Sequence, residues 1–475
     1  MIDGLKPYPA YKDSGVEWLG KVPEHWEVLP GRTVFREIND RGHPDEQMLS
    51  VTITRGVLRQ ADLLADSSKK DSSNEDKSNY KLVQPGDLVY NKMRAWQGAV
   101  GVSAYRGIVS PAYIVQRLRS AENLPSYMHF LLRTPLFASE AERWSYGITS
   151  DQWSLRAEEF KCIYFSLPPL PEQTAIVRFL DWAERRIRRV IRARKRRIKL
   201  LTEYRQALIH QAVTGRIDVR TGKPYPAYKD SGVPWLGEVP AHWEVRRLKS
   251  AVAHINEQTN AKNPDDLYIA LEHVESWTGR LQAPSGGVQF DSQVKRFRAG
   301  DVLFGKLRPY LAKVVRPQRH GVCVGEFFVL RPSHAVTPPY LEVTLRSASA
   351  IDYVNSSTYG AKMPRAGWAF VGNMPFPVPP LPEQTAIVEF LDDQTEKMDA
   401  AIAADRRAIE LLQEFRTRLI ADVVTGKLDV REAAAKLPDE PPEEEEEIME
   451  DEGTNEDGEA LANAELGAVT EEAEP

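Results

Sequence analysis

The sequence predicts an α+β protein made of two mixed α/β domains separated by two long antiparallel coiled-coil helices, related by a pseudo-two-fold internal repeat. Three observations carry this prediction. Pro168–Asp181 (PPLPEQTAIVRFLD) returns as Pro379–Asp392 (PPLPEQTAIVEFLD), with 13 of 14 positions identical at an offset of 211. Lys6–Val28 (KPYPAYKDSGVEWLGKVPEHWEV) returns as Lys223–Val245 (KPYPAYKDSGVPWLGEVPAHWEV), with 20 of 23 identical. The blocks between these copies share a layout but have drifted apart in sequence. Such doubling marks two versions of one structural unit.

The first frame, Lys6–Val28, is dense in proline and glycine and reads as ordered loop and turn rather than helix. Trp18 and Trp26, repeated as Trp235 and Trp243, are expected to be packing anchors; base stacking is the alternative. Residues 29–165 then alternate β-like runs, Gln47–Thr54, Asp87–Asn91, Gly98–Val102 and Gly107–Val115, with a helix expected at Asn123–Phe137 behind Pro125. Between them Asp66–Asn79 (DSSKKDSSNEDKSN) reads as an exposed polar loop. The first domain is expected over residues 1–165.

Residues 166–217 form the first long helix. No Gly or Pro interrupts Thr174–Thr214, and glycine closes the run in VTGRIDVR, Val213–Arg220. Prolines before and a glycine after are helix start and stop signals. Apolar residues recur at three- and four-residue steps through Ile176, Leu180, Ala183, Ile187, Val190, Ile198, Leu201 and Leu208, which is a coiled-coil seam. The second helix, within residues 377–431, repeats the design. Thr385–Thr425 is uninterrupted, Val424–Arg431 reads VTGKLDVR, and the stripe is Ile387, Leu391, Met398, Ile402, Ile409, Leu412 and Leu419. About 40 residues at 1.5 Å each make a rod of roughly 60 Å.

The second domain, residues 218–376, follows the layout of the first. Gly86–Arg94 (GDLVYNKMR) aligns with Gly300–Arg308 (GDVLFGKLR), Gly107–Val115 with Gly321–Val329, and Pro125-Ser-Tyr127 with Pro338-Pro-Tyr340. Two nearly identical scaffold segments and two domains that differ within one frame suit a chain holding two similar readers of different specificity. Residues 432–475 form an acidic tail, expected to be disordered, either solubilising or mimicking nucleic-acid charge.

The net charge of −6 conceals a division. The tail carries 18 Asp and Glu against one Lys, so the preceding residues hold 61 basic and 50 acidic side chains. A basic body suggests a polyanion partner such as nucleic acid. The two cysteines, Cys162 and Cys323, lack metal-ligand spacing and are expected to be reduced core residues. With no long apolar run, the protein is expected to be soluble and cytoplasmic.

Catalytic signatures are weak. Thr337-Pro-Pro-Tyr340 resembles the Pro-Pro-Tyr element of amino-methyltransferases, but proline at a helix start explains it equally. Asp151 with Glu159 and Lys161 is a faint echo of a nuclease site. The residue types suited to nucleic acid are clearer. Lys92, Arg94, Trp96 and Gln97 sit at a strand end, and Lys306, Arg308 and Tyr310 at the matching one. A second matched pair of polar loops offers Thr149, Ser150 and Gln152, and Lys362 and Arg365. Arg and Lys suit phosphates and guanine edges, and Gln suits adenine. Arg185–Lys199 (RRIRRVIRARKRRIK) carries ten cations on the first rod; a DNA backbone, an acidic partner subunit, the neighbouring helix and the acidic tail are all candidate counterparts.

Two PPLPEQ segments leading long helices, two Gly-Asp…Lys-x-Arg blocks and two Ser-Gly-Val-x-Trp-Leu-Gly frames together resemble the DNA-specificity subunits of type I restriction–modification systems, over about residues 6–431. The resemblance implies that each mixed domain is a target-recognition domain reading one half of a split, asymmetric DNA site. It implies a non-catalytic chain that binds no cofactor. Two modification subunits would bind S-adenosylmethionine and methylate adenine N6. Restriction subunits using ATP and Mg would join them. Docking is expected at Pro171, Glu172, Gln173, Pro382, Glu383 and Gln384. The alternative is a free-standing DNA-binding or regulatory protein without modification subunits.

Overall fold

Short runs whose central members are buried on both faces close into four-stranded antiparallel sheets. In the computed structural model, which describes residues 5–65, 76–147, 152–260, 266–282, 293–360 and 363–438, the chain divides into two units. One comprises residues 1–194 with 407–475, the other residues 195–406. The cuts fall inside the long helices, Leu170–Val213 and Leu381–Val424, so each unit contains part of both.

The first unit orders its sheet Phe35–Ile38, Tyr113–Leu118, Leu88–Asn91, Val100–Val102. Its core follows the period of two. Leu88 and Tyr90 enter one cluster with the helices, while Val89 and Val115 enter another with Val51, Val57, Val83 and Val109. The second unit repeats the order as Val252–Ile255, Phe327–Pro332, Val302–Gly305, Val314–Val315. There Val302 and Phe304 face the helical core and Leu303 faces away with Val329. Each sheet is braced alike. Asp87 takes two hydrogen bonds from the Arg117 guanidinium at 2.6 and 2.8 Å, and Asp301 takes two from Arg331 at 2.8 Å. Buried Lys81 donates to Tyr113 O and buried Lys295 to Phe327 O. The Gly-Asp signature is therefore a structural staple.

Several expectations resolve differently. Asn123–Phe137 is two helices, Pro125–Leu132 and Pro135–Arg143, because Thr134 caps the second by accepting from Phe137 N and Pro135 opens it. Gly107–Val115 is split into strands Gly107–Val109 and Tyr113–Leu118, which pair in different sheets. Of the two cysteines, Cys323 is in the core but Cys162 is exposed, at the turn between a short helix and the strand Tyr164–Leu167. The Asp66–Asn79 loop lies outside the described residues except at its end, and so does the tail after Pro438.

Within each unit the long-helix segments run antiparallel. In the first, Ile176, Leu180 and Ala183 share a core with Leu419, Val423 and Val424, and Glu184 binds Arg416 at 2.7 Å. Burial pushes the Glu184 carboxyl up, but Arg416 and Arg188 outweigh it and hold it below its ordinary range. In the second, Arg197 pairs with Asp405 and Arg205 lies 3.6 Å from Asp399, partner numbers falling as the first helix rises. The stripe needs one correction: Val190 is exposed and Ile191 is buried. A period of 3.6 drifts by a residue against a fixed count, and the partner decides which residue turns inward.

The frame tryptophans Trp26 and Trp243 are fully buried. Each donates its indole N–H to the first glutamate of a long helix, Glu172 at 2.8 Å and Glu383 at 2.9 Å. Tyr8 and His25 converge on Glu172, and Tyr225 and His242 on Glu383. The glycine that ends each helix also meets a frame. Gly215, at φ 71°, lies against Pro240 and Trp243. Gly426, at φ 77°, lies against Pro23 and Trp26, so the end of the second helix packs on the first frame; Lys6 bridges Asp429 there. A Cβ on Gly426 would come within 2.3 Å of Pro23 Cδ. Gly426→Ala is therefore expected to destabilise the first unit by about 3 kcal/mol, combining left-handed strain with overlap, as read by urea unfolding.

Candidate nucleic-acid interface

Each sheet delivers a strand into a cation-bearing turn. In the first unit Leu88–Asn91 ends at Asn91, whose side-chain oxygen accepts from Met93 N, turning the chain into the 3-10 helix Ala95–Gln97. This arranges Lys92, Arg94, Trp96 and Gln97 along one short arc. The second polar loop is tied to it: Leu155 N donates to Lys92 O at 2.8 Å, and the Trp96 and Trp153 rings lie 5.7 Å apart. Trp96 also donates its indole N–H to Met93 O, so it braces the two loops as well as flanking their cations. Gln97 and Gln152 are exposed. Thr149 and Ser150, and Asp151 of the nuclease-like pattern, lie outside the described residues.

The second unit repeats the joint with different side chains. Val302–Gly305 leads into Lys306, whose carbonyl accepts from Ala366 N at 2.9 Å, the counterpart of the Leu155–Lys92 bond. Arg308 N donates to Pro364 O at 2.8 Å, and Leu307 bridges Arg365. Lys306, Arg308, Tyr310 and Arg365 are thus brought together; Lys362 lies outside the described residues. Arg308 and Tyr310 are exposed, and Arg365 faces Glu326 at 3.3 Å. Both Arg308, at φ 50°, and Ala312, at φ 47°, hold left-handed backbone without being glycine. Strain of this kind concentrates at working sites. Burial, followed by the Lys295 and Lys306 ammoniums, holds His254 below its ordinary value.

The methyltransferase-like segment has a structural role. Thr337-Pro-Pro-Tyr340 opens the helix Pro338–Leu345, and buried Tyr340 donates to Pro377 O.

The six residues assigned to subunit docking separate into two groups. Pro171 and Pro382 are exposed. Glu172, Gln173, Glu383 and Gln384 are buried and engaged within the chain. Gln173 accepts from Leu124 N and donates to Pro168 O and Glu122 O; Gln384 accepts from Thr337 N and donates to Pro379 O and Ala335 O. Contact with another chain through these four groups would require them to leave those partners. Sequence reading missed a better exposed candidate. Leu200 and Tyr204 on the first long helix and Leu411 and Phe415 on the second are all exposed, and the pairs are related by the repeat offset of 211. The apolar periodicity signalled only the inward seam; the repeat itself carried the signal for this outward pair.

No protein-family model matches the chain. Over 289 residues, 58% of its length, it is 24% identical to the type I restriction enzyme EcoDI specificity subunit of Escherichia coli, and the match spans 64% of that relative. It is 21% identical over 449 residues to a Methanocaldococcus jannaschii protein provisionally described as the type I restriction enzyme MjaX specificity subunit, covering 87% of this chain and 96% of the other. Its fold is shared with a chain from a structural study of complex assembly and conformational transition in the type I R-M system, at a TM-score of 0.63 and 17% identity, covering 85% of this chain and 98% of that one. In sequence the resemblance is to type I specificity subunits.

The strained turn generates a prediction that depends on no ligand. Arg308→Gly is expected to raise the stability of the second unit by about 1 kcal/mol in urea unfolding, because glycine adopts φ 50° without steric cost.

Proposed function

We propose that this chain is the non-catalytic DNA-specificity subunit of a type I restriction–modification complex, reading a split, asymmetric site and carrying the subunits that act on it. The observation that supports this most is the repeated joint: two loops pinned by the same backbone hydrogen bond at the end of the same strand, bearing different side chains in each copy. A shared joint with Lys92, Arg94, Gln97 and Gln152 in one copy and Lys306, Arg308, Tyr310 and Arg365 in the other suits two half-sites of different sequence. Phosphates would be met by the cations, and base edges by Arg and Gln. The long helices act as the ruler between half-sites roughly one turn of DNA, about 34 Å, apart.

In this reading chemistry belongs to the partners. Two modification subunits bind S-adenosylmethionine and methylate adenine N6, and restriction subunits add ATP- and Mg-dependent translocation and cleavage. Two identical partners need two equivalent docking surfaces. The repeat-related pairs Leu200/Tyr204 and Leu411/Phe415 supply them, with Pro171 and Pro382 exposed at the helix starts. Solvent-exposed apolar and aromatic side chains at matched positions are the usual core of such contacts.

The test is long-read methylome sequencing of cells with and without this chain, co-expressed with its modification subunit. A new split motif carrying N6-methyladenine in both halves is the expected result; an assembled complex that adds no motif would overturn the proposal. Lengthening each long helix by one turn, about 5.4 Å, is expected to widen the gap in that motif by one or two base pairs. Leu411→Asp with Phe415→Asp is expected to weaken capture of one modification subunit at least tenfold in size-exclusion light scattering, leaving a complex with a single copy.

A further inference from the structure

A tyrosine followed by glycine opens the second polar loop in each unit, and the two units treat that tyrosine in opposite ways. In the first unit the pair is Tyr146-Gly147, and Ser154 N donates to Tyr146 O at 3.1 Å. In the second it is Tyr359-Gly360, and Tyr359 and Arg365 exchange both backbone hydrogen bonds, at 3.2 and 3.0 Å. Arg365 also bridges Leu307 of the cationic turn. Residues directly opposite in an antiparallel pair project to one face with Cβ atoms about 5 Å apart, so Tyr359 stands beside Arg365.

The aromatic side chains of the first unit are held in place. The Arg156 guanidinium lies 4.7 Å from the centre of the Tyr146 ring, and Tyr146 OH donates to Glu159 at 3.1 Å. Trp96 and Trp153 pack on each other. The second unit has none of these holds. Gly367 takes the place of Arg156, Phe370 that of Glu159, Pro364 that of Trp153 and Tyr310 that of Trp96. Phe370 stacks instead on Tyr353, with ring centres 5.0 Å apart. Tyr359 is 64% exposed, and its ring and hydroxyl have no partner among the described residues. A ring of this size gains by burial, and the first unit shows that the same loop can supply a hold.

The surroundings of Tyr359 fit a duplex. Arg308 is exposed on the turn that Arg365 bridges, and the two cations suit the phosphates on either side of a base step. Side chains that enter a step partly unstack it and kink the duplex. The cost is lowest at flexible pyrimidine–purine steps, so such a contact carries sequence information without touching a base edge.

We propose that Tyr359 enters the base stack at one step of the half-site met by the second unit, which is then read in part by how readily that step opens. The first unit, with Tyr146 pinned, reads its half-site without such an opening. This inference rests on the reading of the chain as a DNA-specificity subunit, and adds to it a residue and a mode of readout.

The test uses the full chain assembled with its modification subunits and a duplex carrying the methylated motif. A single nick is placed at each step in turn, because a nick lowers the cost of opening. For the native complex one nick, in one half-site only and away from the methylated adenine, is expected to tighten binding about fivefold. Tyr359→Ala is expected to weaken binding to the intact duplex about tenfold and to abolish the gain at that nick. Tyr359→Phe keeps the ring and should stay within about twofold of the native complex on both duplexes. An equal gain at the nick with and without the ring, or intact-duplex binding unchanged by Tyr359→Ala, would overturn the inference and leave the specificity-subunit reading standing. Loss of binding accompanied by earlier unfolding of Tyr359→Ala in urea would make the ring structural and overturn it as well. A native complex that binds no motif would remove that reading and this inference with it.

Discussion

A buried carboxylate at the start of each long helix organises the molecule. Glu172 and Glu383 are almost fully removed from water, which costs several kcal/mol for a charged group unless donors replace the lost hydration. Those donors come from far along the chain. Tyr8 OH reaches Glu172 at 2.6 Å and Trp26 Nε1 at 2.8 Å, with His25 Nε2 2.8 Å from the second oxygen; Tyr225, Trp243 and His242 do the same for Glu383. Burial, and then the carboxylate itself, push the Tyr8 phenol up and keep it a donor. The carboxylate's lost hydration is replaced only where the frame is present, and the frame's polar atoms can be buried only where the carboxylate is. This mutual need accounts for the near identity of the two copies.

Everything else hangs from that joint. The neighbouring Gln173 and Gln384 tie the helix start to the loop before the domain helix, through Leu124 N in one unit and Thr337 N in the other. The domain helix packs on the sheet, and the sheet sets the strand that carries the cationic turn. The second long helix closes the first unit, because Tyr127 donates to Val424 O and Gly426 seats against Pro23 and Trp26. A chain that returns to its own beginning can hold each domain by both of its long helices.

The seam between those helices is not uniformly apolar. Glu184 with Arg416, and Asp405 with Arg197, place ion pairs where aliphatic residues would pack. A charge buried at such a position is tolerated in one alignment only, since a shift leaves it unpaired. The polar seam thus fixes the antiparallel register, and with it which part of each helix belongs to which unit.

The sequence by itself determined the doubling, the long helices and their ends, the anchoring tryptophans and the correspondence of the two cationic strand ends. These depend on neighbours along the chain: proline and glycine restrict φ locally, and helical periodicity repeats every few residues. Only the tertiary structure decided that Glu172, Gln173, Glu383 and Gln384 face inward, that Ile191 rather than Val190 enters the seam, and that the second helix ends on the first frame. It also decided that Lys92 meets Leu155 and Lys306 meets Ala366. A carboxylate in a proline-rich turn favours water until donors from more than a hundred residues away converge on it. A helix face has no inside until a partner supplies one, and that partner is chosen by the path of the whole chain.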